Sequence, residues 1–144
     1  MIVYKVEAKH IEAVFPHVEH LLLKALNRGV GEITIDHVKE YCKAEQQQLW
    51  LGLNEDSESI ELAFTTEVVD FPTGQRHLFI HLTGAEDHTI GNWMEAWSEP
   101  LDEFCKEQKV NYIRTSSRDG WLKVLKPLGY KKYYTVQIKE VKYD

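Results

Sequence analysis

The sequence of 144 residues contains only two cysteines and no Cys-x-x-Cys pair. Cys42 and Cys105 both fall in helical patterns, so we expect reduced thiols in a cytoplasmic protein rather than disulfides. No apolar run reaches the roughly 18 residues that a membrane helix needs, so we expect no membrane partner. The N-terminus mixes acidic and basic residues without a small-residue cleavage site, and we therefore expect no signal peptide.

Several motifs of nucleotide binding and catalysis are also absent. The segment Gly84–Gly91, GAEDHTIG, lacks the spacing of a P-loop or of a dinucleotide fingerprint. Ser116 and Ser117 lack the Gly-x-Ser-x-Gly context of a hydrolase nucleophile. His17 and His20 have a spacing that metal sites use. Two histidines on a charged helix face are, however, usually just exposed to water. We therefore expect no metal.

Charge is divided unevenly along the chain. The net charge is −6, but residues 109–144 carry +6 and residues 1–108 carry −12. The acidic total argues against nucleic acid as the main partner. The basic C-terminal quarter would suit a small polyanion, or its lysines would simply solvate the last strand, and the sequence leaves both open.

The length fits one domain spanning residues 1–144. Apolar periodicity predicts helices over 9–27, 34–46, 89–108 and 119–128, and strands over 2–6, 48–53, 60–70, 76–82, 110–116 and 130–141. Gly29 is predicted to end the first helix in a left-handed conformation, and Thr34 or Asp36 to cap the second. The order β-α-α-β-β-β-α-β-α-β predicts an α/β fold, a mixed sheet with helices on both faces.

This element order resembles the acyl-CoA N-acyltransferase fold of the Gcn5-related N-acetyltransferases, the GNAT superfamily. The sharper similarity is to acetyltransferase-like proteins of tailed bacteriophages, whose R-x-G-W…L…G-[FY] pattern matches Arg118–Trp121, Leu125 and Gly129-Tyr130. Gln48-Leu49-Trp50, Thr66-Glu67 and Leu82-Thr83-Gly84 also resemble that group. The resemblance implies a location in the bacterial host cytoplasm or, since some relatives are virion components, in the virion.

The tail motif also has a structural interpretation. Asp119 can cap a helix, and Gly120 allows a tight turn into it. Trp121 and Leu125 are four residues apart and should face the core together. Arg118 has no evident packing role, so it is a candidate functional residue, with a surface ion pair as the alternative.

The resemblance places a pyrophosphate-binding loop, Q/R-x-x-G-x-G/A, on Glu86–Gly91. Gly91 is kept, but Thr89 replaces the first glycine and Glu86 replaces the leading Gln or Arg. Asp87 adds a second carboxylate, which is unfavourable beside phosphate unless it points away. The alternative is that Asp87 or Thr89 merely caps a helix. The implied acetyl-CoA-binding residues are Leu82, Thr83, Gly84, His88, Thr89, Ile90, Gly91, Asn92 and Arg118.

Catalytic residues are less clearly marked. The tyrosine that often acts as the acid in the resembled enzymes is replaced by Leu125. A general base could be Glu67 on the third strand or His81 on the fourth, since either could take a proton from an ammonium group. The alternatives are a surface carboxylate and a core imidazole.

Two functions therefore stay open. The first is an acetyl-CoA-dependent N-acetyltransferase with a divergent cofactor loop and an unknown amine acceptor. The second is a catalytically inactive phage structural or protein-interaction module that binds a protein partner through its cleft or through an exposed part of the stripe Trp93, Met94 and Trp97. The other interpretation of this stripe is that the three residues pack against the sheet. An open cleft between the fourth and fifth strands would favour the enzyme. Homo-oligomerisation is left open.

Overall fold

The computed structural model describes residues 1–87 and 89–143, with Asp119 described by its backbone alone. Its centre is a five-stranded sheet in the order β1-β2-β3-β4-β5. Neighbouring strands are antiparallel except β4 and β5, which are parallel. The strands are β1 (Ile2–Lys5), β2 (Gln48–Asn54), β3 (Ser59–Asp70), β4 (Arg76–Ala85) and β5 (Tyr112–Thr115).

Helices cover both faces of this sheet, which confirms the predicted mixed α/β class. They are α1 (Ile11–Leu26), α2 (Ile35–Lys43), α3 (Ile90–Gln108) and α4 (Leu122–Leu125). The Thr34 hydroxyl accepts the His37 N–H at the start of α2, so the predicted cap is confirmed. Short 3₁₀ turns flank α4 and complete the helix predicted at 119–128.

The sheet separates two apolar cores. One core lies under α1 and α2 and includes Phe15, Leu21, Leu22 and Leu49, all at most 1% exposed. The other lies under α3 and α4 and contains Trp93, Met94 and Trp97, each fully buried. The hypothesis that these last three residues form a protein-binding stripe is therefore wrong, because they pack against the sheet.

The predicted last strand does not form. Residues 131–143 are exposed and pair with no strand of the described residues. Val136 and Ile138 remain 66% and 69% exposed, so neither contributes to a core. Strand propensity depends on packing against neighbouring strands, and this segment has no such neighbour. The observed order is therefore β-α-α-β-β-β-α-β-α.

The prediction for Gly29 also differs from the structure. After α1, the N–H groups of 27–29 turn back onto the carbonyls of Leu23, Ala25 and Leu26, so Gly29 needs no left-handed conformation. Gly31 is the residue with positive φ, +84°. The Trp121 N–H donates to the Arg118 carbonyl, so Gly120 lies in a tight turn at the start of the last helical segment, as predicted. Gly129 adopts φ +98° and ends the last helical turn. No helix in the described ranges is long and apolar enough to cross a bilayer.

Candidate functional site

β4 consists of two halves with different neighbours. In the paired half, Arg76–Ile80, it lies between β3 and β5, and its parallel ladder with β5 runs from His77 to Ile80. β5 then ends at Thr115, whereas β4 continues through the open half, His81–Ala85. Within the described residues, no strand pairs with the outer side of this open half. β5 is thus paired with β4 over its whole length, Tyr112–Thr115, and the open half is a sheet edge beyond the end of β5 rather than a gap between two splayed strands.

A β-bulge lies at the boundary between the two halves. Two residues of β4, His81 and Leu82, lie opposite the single residue Thr65 of β3. The Leu82 N–H donates to the fully buried Thr65 hydroxyl at 3.2 Å. Ile80 packs in the core under α3, but Leu82 packs in the core under α1. The extra residue thus places His81 and Leu82 on the same face, which is how bulges re-aim side chains near functional sites.

The two candidate bases are hydrogen-bonded to each other. His81 Nε2 and Glu67 Oε1 lie 2.8 Å apart, and the two side chains are about one third exposed, 34% and 36%. Both line a half-open cavity of about 600 Å³ beneath the end of α1. This volume is in the range of small-molecule sites. The structure thus brings both predicted residues to one place, although their catalytic role stays a prediction.

Leu82, a predicted cofactor residue, also lines the cavity, and most of the remaining wall comes from residues that no prediction named. The loop after α1 contributes Glu32, and α2 with the segment after it contributes Tyr41, Gln46 and Gln47. Glu32 Oε1 accepts the Val30 N–H at 2.8 Å. Donation from its own and the Val30 backbone N–H lowers the pKa of Glu32. No recognisable motif marks this loop, so only the fold could assign it to the site.

The carboxylates of the loop after β4 are turned towards α1. Glu86 Oε1 lies 3.5 Å from His20 Nε2, and Asp87 Oδ1 lies 3.7 Å from Lys24 Nζ. Lys24 also donates to the Ala85 carbonyl at 3.2 Å. Both acids therefore have partners on α1. Carboxylates held there repel a phosphate at the start of α3 less than carboxylates directed towards it.

The first turn of α3 keeps free backbone donors. Thr89 occupies the N-cap position, but its hydroxyl donates to the Glu86 carbonyl at 2.6 Å and accepts no N–H of the helix. Among the described residues, no acceptor contacts the N–H groups of Ile90 and Gly91. A Cβ at Gly91 would lie 3.5 Å from a Val124 methyl group, so this glycine is not required by packing. The prediction that the Thr89 side chain caps α3 is therefore wrong. The Asp87 side chain contacts Lys24 on α1 instead.

The remaining predicted cofactor residues have mixed environments. Thr83 is buried, and Gly84 packs so closely on α1 that a Cβ would overlap the Leu21 carbonyl oxygen. Asn92 is exposed on the first turn of α3, and its N–H donates to the Thr89 carbonyl. Arg118 is exposed, and no acceptor within the described residues contacts its guanidinium. His88 lies outside the described residues.

The position of the usual catalytic acid belongs to the core. Leu125 is only 3% exposed and packs with Trp97 and Leu101 under α3. Tyr130 packs beside this core, and burial, together with the Asp102 carboxylate, raises its pKa to about 12. Tyr130 therefore keeps its proton at neutral pH, and no ionisable group lies at the Leu125 position itself.

The segments Gln48–Trp50 of β2 and Thr66-Glu67 of β3, both part of the resemblance, contact each other. The Trp50 indole N–H donates to the Thr66 hydroxyl at 2.9 Å, and this hydroxyl donates to Gln48 Oε1 at 2.8 Å. These two hydrogen bonds satisfy the buried Trp50 indole and Thr66 hydroxyl, so the residues have a structural reason for their identity. The predicted absence of a metal stays a prediction: within the described residues, no group of three or more His, Cys, Asp or Glu side chains could hold an ion.

Comparison with solved structures supports the architecture. The chain is similar to a probable acetyltransferase (12% identity, TM-score 0.71, covering 98% of this chain and 100% of the other). It is also similar to glucosamine-6-phosphate N-acetyltransferase from Arabidopsis thaliana (15% identity, TM-score 0.65, 98% and 96% covered). A third similar structure is a predicted acetyltransferase from Clostridium acetobutylicum solved with acetyl-CoA (18% identity, TM-score 0.62, 97% and 94% covered).

Sequence comparisons add no closer relative. No family model matches the chain, and no curated protein matches it. The solved structures are all less than a fifth identical to this chain, so the likeness concerns the fold. The chain has the GNAT acetyltransferase fold, and residues 131–143 form no strand in it.

Proposed function

We propose that this chain is an acetyl-CoA-dependent N-acetyltransferase. The observation that carries the proposal is the Glu67–His81 hydrogen bond, which lies in the wall of a cavity and next to the open half of β4. The likeness of the whole chain to acetyltransferases, one of them solved with acetyl-CoA, supports the same activity. An amine acceptor would enter from the cavity, and the acetyl donor would lie along the open half.

The residues at the end of β4 and the start of α3 fit such a donor. The open half, including Leu82 and Thr83, has no strand on its outer side within the described residues. The N–H groups of Ile90 and Gly91 point out of a helix N-terminus, which favours phosphate. Arg118, which precedes α4 in the sequence, offers an exposed guanidinium. When bound there, acetyl-CoA would supply the acetyl group as a reactive thioester.

The Glu67–His81 pair would prepare the acceptor. An alkyl amine is mostly an ammonium ion at neutral pH and must lose a proton before its nitrogen can attack a carbonyl. His81 Nε2 and Glu67 Oε1 share one hydrogen bond, so a proton accepted by the pair is held between an imidazole and a carboxylate. Such a pair is suited to general-base catalysis at neutral pH.

Calorimetric titration of CoA and acetyl-CoA tests the donor site. We expect micromolar binding that Gly91→Trp abolishes, because the indole would fill the space before the free N–H groups of α3. Gly91→Ala is the matched control, since its Cβ makes only an ordinary contact with Val124. The absence of heat at millimolar ligand would exclude the enzyme.

Amine-dependent release of free thiol from acetyl-CoA tests the pair. We expect His81→Gln and Glu67→Gln each to lower kcat/KM by about a hundredfold or more, as loss of a general base does. His77→Gln, on the paired half of the same strand, should leave the rate nearly unchanged. Equal rates for all three variants would contradict the role of Glu67 and His81.

A non-catalytic interaction module is the second candidate. Leu125 favours it, because this residue fills the core where the related enzymes often carry an acid. The likeness of Arg118–Tyr130 to phage-encoded proteins, and a virion or host-cell location, stay predictions from the sequence. A chain that binds no CoA but is recovered with a purified phage particle would support this reading.

A further inference from the structure

Two carboxylates face the cavity from different elements of the fold. Glu67 belongs to β3 and is held by His81, whereas Glu32 belongs to the loop between α1 and α2. Glu32 is anchored through one oxygen to the Val30 N–H. A carboxylate has about four acceptor sites, so Glu32 retains capacity for a further donor. The cavity thus offers two separate anionic positions.

The cavity wall contains no compensating cation. Apart from His81, none of the described lining residues is a lysine, an arginine or a histidine. Two cations on nearby elements are engaged elsewhere: Lys24 contacts Asp87 and the Ala85 carbonyl. Arg114 stacks 4.3 Å from the Phe79 ring centroid and donates to the Tyr134 hydroxyl. An acceptor with a carboxylate or phosphate would therefore find no lysine or arginine partner in the wall.

Neutral groups complete the polar part of the wall. Tyr41, Gln46 and Gln47 line the cavity from α2 and the segment after it, while Ala25, Leu26 and Leu82 supply apolar side chains. An elongated molecule with polar ends and a methylene chain matches this mixture. Residues 1–108, which form most of the body, carry a net charge of −12 and would attract a cation over longer distances.

We infer that the cavity selects an amine that carries a second positive charge, with one ammonium group at the Glu67–His81 pair and the other at Glu32. This substrate class rests on the proposed function, because the cavity is the acceptor site of that reaction. The first ammonium group gives one proton to the pair, and its nitrogen then forms an amide C–N bond as the C–S bond of the acetyl-CoA thioester breaks. The second proton lost by that nitrogen passes to the departing CoA thiolate, and the far ammonium group stays unchanged.

Calorimetric titration of the protein alone tests this charge selection. The probes are putrescine, butylamine and γ-aminobutyrate, which share one carbon chain and differ in the charge of the far end. We expect putrescine to bind about tenfold more tightly than butylamine, since a charge-assisted hydrogen bond is gained. γ-Aminobutyrate should bind most weakly, and added salt should weaken putrescine binding most.

Two variants locate the second charge. Glu32→Gln should lower putrescine affinity about tenfold and leave butylamine affinity unchanged. Glu19→Gln, a carboxylate on α1 outside the cavity wall, is the matched control and should change neither. A Glu32→Gln variant that binds putrescine as the parent does would overturn the inference, as would equal binding of putrescine and butylamine.

Acetyl transfer separates this inference from the proposed function. Transfer to putrescine and butylamine with equal kcat/KM would overturn the charge selection and leave the acetyltransferase activity standing. Selective putrescine binding with no transfer from acetyl-CoA would support the charge selection and overturn the activity.

Discussion

The two halves of β4 belong to one strand but differ in what surrounds them. The paired half lies between two strands and sends Leu78 and Ile80 into the core under α3. The open half has a strand on one side only, begins with a bulge and sends Leu82 towards α1. The paired half has hydrogen-bonded strands on both sides, while the open half packs on α1 and leaves one backbone edge and a polar pair accessible to ligands.

The largest effect is expected for Gly84→Ala in the open half. A Cβ there would overlap the Leu21 carbonyl oxygen, and a backbone group of α1 cannot move aside as a flexible side chain can. We expect the free energy of unfolding to fall by about 3 kcal/mol or more, measured by urea denaturation. Gly91→Ala is the control and should be neutral or slightly stabilising. A stable Gly84→Ala protein would mean that α1 does not pack on the open half as described.

A smaller effect is expected for Thr65→Val, which removes the hydroxyl that accepts the Leu82 N–H at the bulge. Because the position is fully buried, the orphaned N–H should cost about 1–3 kcal/mol of unfolding free energy. Acetyl transfer should fall as well, since the bulge orients His81. Thr65→Ser keeps the acceptor and should preserve most of both. Loss of stability without loss of transfer would show that the bulge supports the fold alone.

Lys24→Met should weaken CoA binding beside the open half of β4 and have little effect on stability. The Lys24–Asp87 contact is exposed, so the stability change should stay below about 1 kcal/mol. Released from Lys24, Asp87 can approach the start of α3, and CoA should bind about two- to fivefold more weakly. Lys39→Met removes a lysine remote from this loop and should not alter CoA affinity. Calorimetry at low and high salt measures the difference, and unchanged affinity at both would contradict the steering of Asp87.

The smallest effect is expected at Glu12, which is remote from both halves of β4. Lys43 and Lys39 on α2 lower the pKa of Glu12 from 4.5 to about 2. Its contribution to stability is therefore present above pH 4.5 and is lost as the pH falls towards 2. Glu12→Gln should lower the melting temperature slightly at pH 7, and the difference from the parent should shrink by pH 3. CoA binding should stay unchanged, and a pH-independent difference would contradict the ion pairs.

Local signals in the sequence predict much of the fold. The helical spacing of α1 and α3 and the Thr34 cap appear where expected, because each depends on residues close in the chain. The strand predicted at 130–141 fails because alternation describes a surface that could pack, and packing needs a neighbour far away in sequence.

The site is predictable only in part. Glu67 and His81 are identifiable by residue type, but their pairing depends on the register of β3 and β4, which the sequence does not reveal. Glu32 and Tyr41 carry no signal, since they reach the cavity through the path of the chain after α1. Gly84 is marked as a candidate for phosphate binding, yet its close approach to Leu21 gives it a packing reason that only the fold reveals.

The bulge also determines which changes in chain length this protein can tolerate. In the bulge, His81 and Leu82 lie opposite Thr65 alone, so deleting one of them would leave a single residue there and restore a regular pleat. Gly84 would still pack on α1, but the cavity wall would lose one side chain. A deletion in a regular part of β4 would instead turn the following side chains to the opposite face. We therefore expect a single deletion at the bulge to preserve the fold and lower acetyl transfer, whereas a deletion in a regular part of β4 should prevent folding.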